Sequence, residues 1–143
     1  MTADENKAVV RRYYDQVLNA GRLDVIDELA TEDYVENDPF PGQGNGRADL
    51  KDRAATLLGA FAPMTFAIED VIAEGDRVVV RWRCAGTHSG EFLGIPPTGR
   101  SYEIGGIDVH RVADGRLAEH WHVVDQLSQL QQLGLLPAPE TVS

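Results

Sequence analysis

Residues suited to acid/base chemistry are concentrated in the last third of the chain. Asp108 and His110 alternate along one stretch, His120 and His122 alternate along the next, and Asp125 follows. A carboxylate that loses water becomes a stronger base, and an imidazole titrates near neutral pH. Together these groups are suited to removing a proton from a carbon next to a carbonyl and returning it.

Both stretches are predicted to be strands of one hairpin. They span about residues 102–113 and 116–126, and the dipeptide Asp114-Gly115 between them favours a two-residue type I′ turn. Counting pairs outward from this turn predicts which side chains share a face. One face is expected to carry Ile104, Gly106, Asp108, His110, Glu119, Trp121, Val123 and Asp125, and the opposite face His120 and His122.

Asp125 is the predicted catalytic base because it ends an apolar strand, where a pocket would strip it of water. The alternative is that Asp125 caps a C-terminal helix beginning near Leu127, since Asp is a preferred N-cap residue. His110 is the predicted partner that hydrogen-bonds a developing oxyanion or relays a proton. Its alternative is a polar cross-strand pair with Glu119.

Further candidate substrate-binding residues are predicted around an apolar pocket. Trp82 and Trp121 either form an aromatic wall for a flat ligand or belong to the core, and Asp108 opposite Trp121 is ambiguous in the same way. Residues 88–100 hold too many Gly and Pro for a strand, so they form either a pocket rim or an ordinary connection. The remaining candidates are Tyr14, Tyr34, Phe61 and His88.

The rest of the pattern predicts helices first and strands afterwards, an α+β chain. Thr2-x-x-Glu5 resembles a capping box and predicts a helix start. Apolar residues recur at helical spacing between Val9 and Leu18, between Leu23 and Leu29, and between Leu50 and Phe61. A polar loop is predicted over residues 36–46. β-branched and aromatic runs then predict strands near residues 66–71 and 77–87.

Composition favours one globular domain over residues 1–143 and excludes several partners. The net charge of −10 disfavours binding to nucleic acid or an anionic membrane surface. Cys84 is the single cysteine, so no intrachain disulfide can form, and we expect a cytoplasmic protein because neither a signal peptide nor a membrane-spanning run is found. No metal is predicted, although His110, His120 and His122 lie close enough in sequence to be checked.

Four motifs stand out along the chain. They are Gly-Thr-His-Ser-Gly-Glu-Phe-Leu-Gly-Ile-Pro-Pro-Thr-Gly-Arg at 86–100, Gly-Ile-Asp-Val-His-Arg at 106–111, Asp-Gly-Arg-Leu-Ala-Glu-His-Trp at 114–121, and Asp125. The chain resembles the SnoaL-like polyketide cyclase or ester cyclase family, of the nuclear-transport-factor-2-like type. The similarity extends from the helix at 9–14 to the closing segment 131–134.

The resemblance implies a cone in which three N-terminal helices pack on a strongly curved antiparallel sheet around an apolar pocket, commonly paired as a homodimer through the outer face of the sheet. It implies an acid/base aspartate near the end of the last long strand with a histidine nearby, matched here by Asp125 and His110. No metal or organic cofactor is implied. Asn37 is a departure, since many relatives have a histidine before Asp38-Pro39. We expect Asn37 to bind substrate, because its amide can hydrogen-bond a substrate carbonyl but cannot move a proton at neutral pH.

The leading hypothesis is a cofactor-independent intramolecular aldol cyclase acting on a small lipophilic substrate such as an aromatic polyketide ester. Asp125 would be the base, and His110 would stabilise the enolate oxygen. Three alternatives stay open. They are hydrolysis or hydroxylation of a small lipophile by water that Asp125 activates, a non-catalytic lipophile-binding module, and a partner-binding dimer module that uses the outer sheet face with His120 and His122.

Overall fold

The structure, a computed structural model, describes residues 2–137 and has the predicted α+β class, with N-terminal helices on a curved five-stranded sheet. No helix among these residues is long and apolar enough to cross a bilayer. The elements in chain order are helix α1 (Ala3–Arg12), a π-helical continuation (Tyr13–Asn19), a 3₁₀ turn (Leu23–Val25), α2 (Ile26–Leu29), β1 (Ala30–Glu36), α3 (Arg47–Ala60), β2 (Phe61–Glu74), β3 (Arg77–His88), β4 (Ser101–Ala113), β5 (Arg116–Val124) and α4 (Gln126–Gln132).

The first helix begins where the sequence indicates and then widens. The hydroxyl of Thr2 accepts a hydrogen bond from the Glu5 amide at 3.1 Å, which satisfies one of the free N–H groups at the helix start. In the π-helical part both Tyr13 and Tyr14 are buried although they are neighbours in sequence. Such π-helical turns are frequent at functional sites, and this one points two hydroxyl-bearing side chains inward.

Strand β1 was not predicted and makes the sheet mixed rather than wholly antiparallel. The strand order is β1-β5-β4-β3-β2, in which β1 runs parallel to β5 and the other pairs are antiparallel. Its sequence, Ala-Thr-Glu-Asp-Tyr-Val-Glu, lacks an apolar run because it forms a half-exposed edge. The strand nevertheless carries its last residue, Glu36, into the interior, where only 3% of that residue is exposed.

A β-bulge in β5 overturns the predicted register of the hairpin. The turn pairs Ala113 with Arg116 as predicted, but Arg111 then pairs with Glu119, so Ala118 is an extra residue in its strand. Every later side chain of β5 therefore changes face. His120 and His122 point to the concave side with His110, whereas Trp121 points outward.

The concave face holds the core and brings an indole close to strand β4. Trp82 of β3 pairs with Gly106 of β4, and its ring occupies the space that a side chain at Gly106 would fill. The indole Nε1 consequently reaches the Asp108 carboxylate, at 2.9 Å from Oδ2. A glycine at this position of β4 thus helps to fix the orientation of Asp108.

We predict that Gly106→Ala lowers the free energy of unfolding by about 1–3 kcal/mol, because the added methyl overlaps the Trp82 ring in a packed core. Gly105→Ala is the matched control, since its methyl meets its nearest neighbour at 3.5 Å, an ordinary contact. Urea unfolding of both variants checks this. Equal midpoints for the two variants would contradict the described packing.

Candidate active site

A cavity of about 390 Å³ opens between the helices and the concave face of the sheet. This volume falls within the range of small-molecule sites, which are mostly apolar with a few placed polar groups. Its walls are largely aliphatic and aromatic, with Phe61, Met64, Phe66, Trp82, Phe92, Tyr102 and Ile104 among them. Carboxyl, guanidinium and imidazole groups line it at Asp38, Arg53, Asp108, His120 and His122.

Asp108 is the buried carboxylate of this cavity. Its Oδ2 accepts hydrogen bonds from the Tyr14 hydroxyl and from the Trp82 indole. Its Oδ1 lies 3.2 Å from Nε2 of His120. Two donors therefore hold one carboxylate oxygen in place, and the other oxygen remains available beside His120.

His120 lies between two carboxylates. Its Nδ1 is 2.6 Å from Oε2 of Glu36, and its Nε2 faces Asp108 without the alignment of a full hydrogen bond. Burial alone would lower the pKa of His120, but the negative charges of Asp108 and Glu36, together with the hydrogen bond to Glu36, raise it to about 9. His120 is therefore the imidazolium of the site at neutral pH.

The pKa values of the two carboxylates, Asp108 and Glu36, are lowered. Burial would raise the pKa of Asp108, yet the positive charge of His120 holds it well below its usual range. The pKa of Glu36 is lowered for the same reason, against burial, by its hydrogen bond to His120 and the charge of Arg53. Both carboxylates are consequently ionised at neutral pH.

Arg53 of α3 completes a balanced set of charges. Its Nη1 lies 3.3 Å from Oε2 of Glu36, and its guanidinium packs over the Phe40 ring at 5.0 Å from the ring centre. Two cations, Arg53 and His120, thus face two anions, Asp108 and Glu36, with every one of these residues buried. Buried charges persist only when paired in this way.

Three imidazoles stack beside one another, and only the central one is charged. The ring of His120 lies 4.7 Å from that of His110 and 5.0 Å from that of His122. Burial and the charge of His120 lower the pKa of His110 to about 3. Burial and the charge of Arg53 likewise lower the pKa of His122.

Hydrogen bonds assign the tautomers of the two neutral rings. An arginine can only donate, so Nδ1 of His122 accepts from Arg53 at 3.3 Å and Nε2 donates to the Asp38 carbonyl at 2.8 Å. The single hydroxyl proton of Tyr14 goes to Asp108, so Nε2 of His110 donates to the Tyr14 oxygen at 2.8 Å. Neither ring is a strong acid or base at neutral pH.

Two groups in the described part of the chain have enough ligand atoms for a metal ion, but their geometry argues against one. In Asp108, His110 and His120 the two imidazoles are stacked almost parallel, so their nitrogen lone pairs cannot converge on a common ion. In Glu36, Asp38 and His122 the imidazole nitrogen nearest the carboxylates carries a proton, and the Arg53 cation lies alongside.

The prediction that Asp125 lies in the pocket was wrong. Asp125 is exposed at the N-cap of α4, where its Oδ1 accepts from the Ser128 amide at 3.2 Å, and it does not line the cavity. Trp121 lies on the outer face beneath the Arg77 guanidinium, 4.7 Å from its ring centre, because of the bulge. Asn37 is exposed and bonds the His120 carbonyl and Glu119 rather than the cavity.

The other predicted residues are divided between the cavity and its supports. Trp82, Phe61 and Asp108 line the cavity. Tyr14 and His110 lie behind Asp108, and the hydroxyl of Tyr34 donates to Glu36 at 3.3 Å. His88 is buried outside the cavity, with Nδ1 accepting from the Thr98 amide at 3.2 Å.

Sequence reasoning missed Glu36, Arg53 and the inward placement of His120 and His122. One signal for the bulge was available. Leu117 and Ala118 are two consecutive apolar residues, and both are buried, whereas a regular strand of this hairpin would alternate. No comparable signal identified Arg53, which is one charged residue among several in α3.

We predict a pH dependence of stability that His120 causes. Its pKa is about 9 in the folded chain, whereas an unperturbed histidine titrates at 6.5. Between these values the folded state keeps a proton that the unfolded state loses. The free energy of unfolding should then fall as pH rises, by at most about 1.4 kcal/mol per pH unit. Urea unfolding between roughly pH 7 and 8.5 measures this slope. His120→Gln should flatten it, and an unchanged slope in that variant would contradict the assignment.

Known proteins similar to this chain agree with the fold. The family model described as SnoaL-like polyketide cyclase matches residues 8–133. The nogalonic acid methyl ester cyclase of Streptomyces nogalater is 29% identical over 123 residues, covering 81% of this chain and 88% of that protein. The aklanonic acid methyl ester cyclase DauD of Streptomyces sp. (strain C5) is 28% identical over 141 residues, covering 92% and 84%.

Among solved structures, TsrD from Streptomyces laurentii superposes with a TM-score of 0.86 at 25% identity, covering 95% of this chain and 99% of that one. The matched residues 8–133 include every member of the charged cluster. The chain therefore belongs to the SnoaL-like polyketide cyclase family.

Proposed function

We propose that this chain is a cofactor-independent cyclase that enolises a carbonyl compound and closes a ring within the same molecule. The observation that carries the proposal is the buried Asp108–His120 ion pair on the wall of an apolar cavity. Asp108 replaces Asp125 as the proposed base, and His120 replaces His110 as the proposed acid. The acid/base chemistry expected from the sequence is kept, with different residues performing it.

The proposed reaction begins with two proton transfers. Oδ1 of Asp108 takes the proton from the carbon next to the substrate carbonyl, while Nε2–H of His120 gives its proton to the carbonyl oxygen. The electron pair of the broken C–H bond becomes the carbon–carbon double bond of the enol. Asp108 is then a neutral acid and His120 a neutral imidazole.

Ring closure restores both groups. The enol carbon attacks a second carbonyl of the same molecule and forms the new carbon–carbon bond. The enol hydroxyl returns its proton to Nε2 of His120, and Asp108 gives its proton to the new alkoxide. The product is an isomer of the substrate, and no oxidant, reductant or metal takes part.

The physical advantage of this pair is that no net charge appears in the cavity at any step. An isolated enolate would be costly in a site with little water, because charges are poorly solvated there. A cation and an anion 3.2 Å apart can instead neutralise each other by passing protons through the substrate. Tyr14 and Trp82 keep Asp108 oriented while its charge changes.

The substrate class is proposed from the relatives. Two of them are named for the cyclisation of nogalonic and aklanonic acid methyl esters. An aromatic ester would suit a cavity lined by Phe61, Phe66, Trp82 and Phe92. We therefore propose an aromatic carbonyl compound with an ester or second carbonyl as the substrate.

We predict that Asp108→Asn lowers turnover of an accepted substrate by about 10²–10⁴-fold, the range for removing a general base. Asp125→Asn is the matched comparison, because Asn is also a good N-cap and the exposed Asp125 does not line the cavity. The assay uses nogalonic and aklanonic acid methyl esters and detects the isomeric product by chromatography.

Either of two results would contradict this assignment. One is a large loss of turnover in Asp125→Asn together with near wild-type turnover in Asp108→Asn, which would identify Asp125 as the base. The other is saturable binding of both esters with no turnover by the wild type, which would favour a binding module.

We also propose that the outer face of the sheet binds a second copy of this chain. Three aliphatic side chains on this side are unusually exposed, Ile72 at 63%, Ile107 at 47% and Val123 at 75%. Several arginines around them have an acid beside them, as in Arg81–Asp70 at 2.6 Å and Arg111–Glu119 at 3.0 Å. A locally balanced face lets two copies of a chain of charge −10 meet without strong repulsion.

We predict that Val123→Glu converts a dimer to a monomer in sedimentation velocity, since it puts two like charges into a desolvated centre. Ala48→Glu, at an exposed position of α3 outside this face, is the control and should stay dimeric. A monomeric wild type, or a dimeric Val123→Glu variant, would contradict the proposal.

A further inference from the structure

The cavity has a second polar region away from the Asp108–His120 pair. Tyr102 lies on the same face of β4 as Asp108, six residues earlier, and both line the cavity. At the rise of a β-strand their Cα atoms are roughly 20 Å apart. Gln129 of α4 lines the cavity close to the Tyr102 hydroxyl. We call Tyr102 and Gln129 the far-end pair.

Gln129 has hydrogen-bonding capacity that the protein does not use. It is 7% exposed, so it faces the interior. Its amide offers two donors and two acceptor lone pairs. No side chain among residues 2–137 makes a well-aligned hydrogen bond to this amide, and the Tyr102 hydroxyl is the polar group beside it. The amide is not sealed in the core, so its polar atoms are open to the cavity, where a bound molecule can reach them.

Tyr102 adds a donor that stays protonated. Burial raises the pKa of its hydroxyl far above the usual value, and the nearby Cys84 thiol adds to this. Cys84 is a weak partner at 3.8 Å. The hydroxyl can therefore donate to an oxygen in the cavity.

The far-end pair is held rigidly, as a specificity site must be. Helix α4 is tied to β4 by two hydrogen bonds, from the Glu103 amide to Gln132 at 2.7 Å and from the Gln132 amide to the Glu103 carbonyl at 3.0 Å. Asp125 caps the helix, and Leu133 after it is buried. The exposed Asp125 thus supports the position of Gln129.

We infer that Gln129 and Tyr102 form a subsite that hydrogen-bonds an oxygen at the end of the substrate opposite the reacting carbonyl. The ligand class is an elongated, planar aromatic compound with a hydroxyl or carbonyl at each end. Aromatic walls between the two polar ends suit the flat body, since Phe61, Phe66 and Trp82 line the same cavity. This inference rests on the proposed function only in taking the end of the substrate beside Asp108 and His120 as the end that reacts.

The test compares the binding of two ligands that differ by one hydroxyl. 2-Hydroxyanthraquinone has a hydroxyl at one end, and 2,6-dihydroxyanthraquinone has one at each end. Dissociation constants are measured by quenching of Trp82 fluorescence in a Trp121→Phe background, which leaves the cavity tryptophan as the only indole. We expect the second hydroxyl to tighten binding roughly three- to tenfold, the usual worth of one hydrogen bond.

Gln129→Met should abolish that gain, because it keeps the side-chain length and helix propensity but removes the amide. Gln131→Met is the matched control on the same helix, outside the cavity lining, and should keep the gain. Tyr102→Phe, which removes only the hydroxyl, should reduce the gain and serves as the second variant if Gln129→Met does not fold.

The inference is overturned if wild type binds both ligands equally or binds neither. It is also overturned if Gln129→Met and Tyr102→Phe keep the full gain. Asp108→Asn separates this inference from the proposed function. We expect that variant to keep the gain from the second hydroxyl while it loses turnover, so a failure of the proposed reaction leaves the binding result unchanged.

Discussion

A protonated His120 between the carboxylates of Asp108 and Glu36 is the interaction on which the site depends. Burying an ion costs several kcal/mol unless partners replace its water, so each member of the cluster needs the others. The members come from β1, α3, β4 and β5. The buried charges therefore balance only when strand β1, helix α3 and the β4–β5 hairpin are all packed together.

One inserted residue decides whether that cluster can form. The extra residue Ala118 turns His120 and His122 inward and Trp121 outward. With a regular register, Asp108 would have had an aromatic neighbour and no cation. The sequence shows which residues are suited to acid/base chemistry. It does not show which of them share a face of the sheet, because a bulge interrupts the regular alternation of side chains between the two faces.

Much of the fold could be predicted because short stretches of sequence determine where its helices and turns form. The Thr2 cap, the Asp114-Gly115 turn and the apolar spacing of the helices all have local physical causes. Strand β1 could not, because its pairing with β5 is long-range and its acidic sequence has no β pattern. Asp125 illustrates the same limit. The sequence allows it to be either a helix cap or a buried base, and its hydrogen bond from the Ser128 amide in the structure identifies it as the cap.

The measurement that tests the protonated His120 most directly is a ¹⁵N NMR titration of the imidazole side chains, with His120→Gln used to assign the resonances. We expect both ring nitrogens of His120 to carry protons at neutral pH, and the imidazolium to lose a proton near its pKa of about 9. His110 and His122 should be neutral at neutral pH and above. A neutral His120 at pH 7, with its pKa at or below that of an exposed histidine, would contradict the charge arrangement on which the proposed chemistry rests.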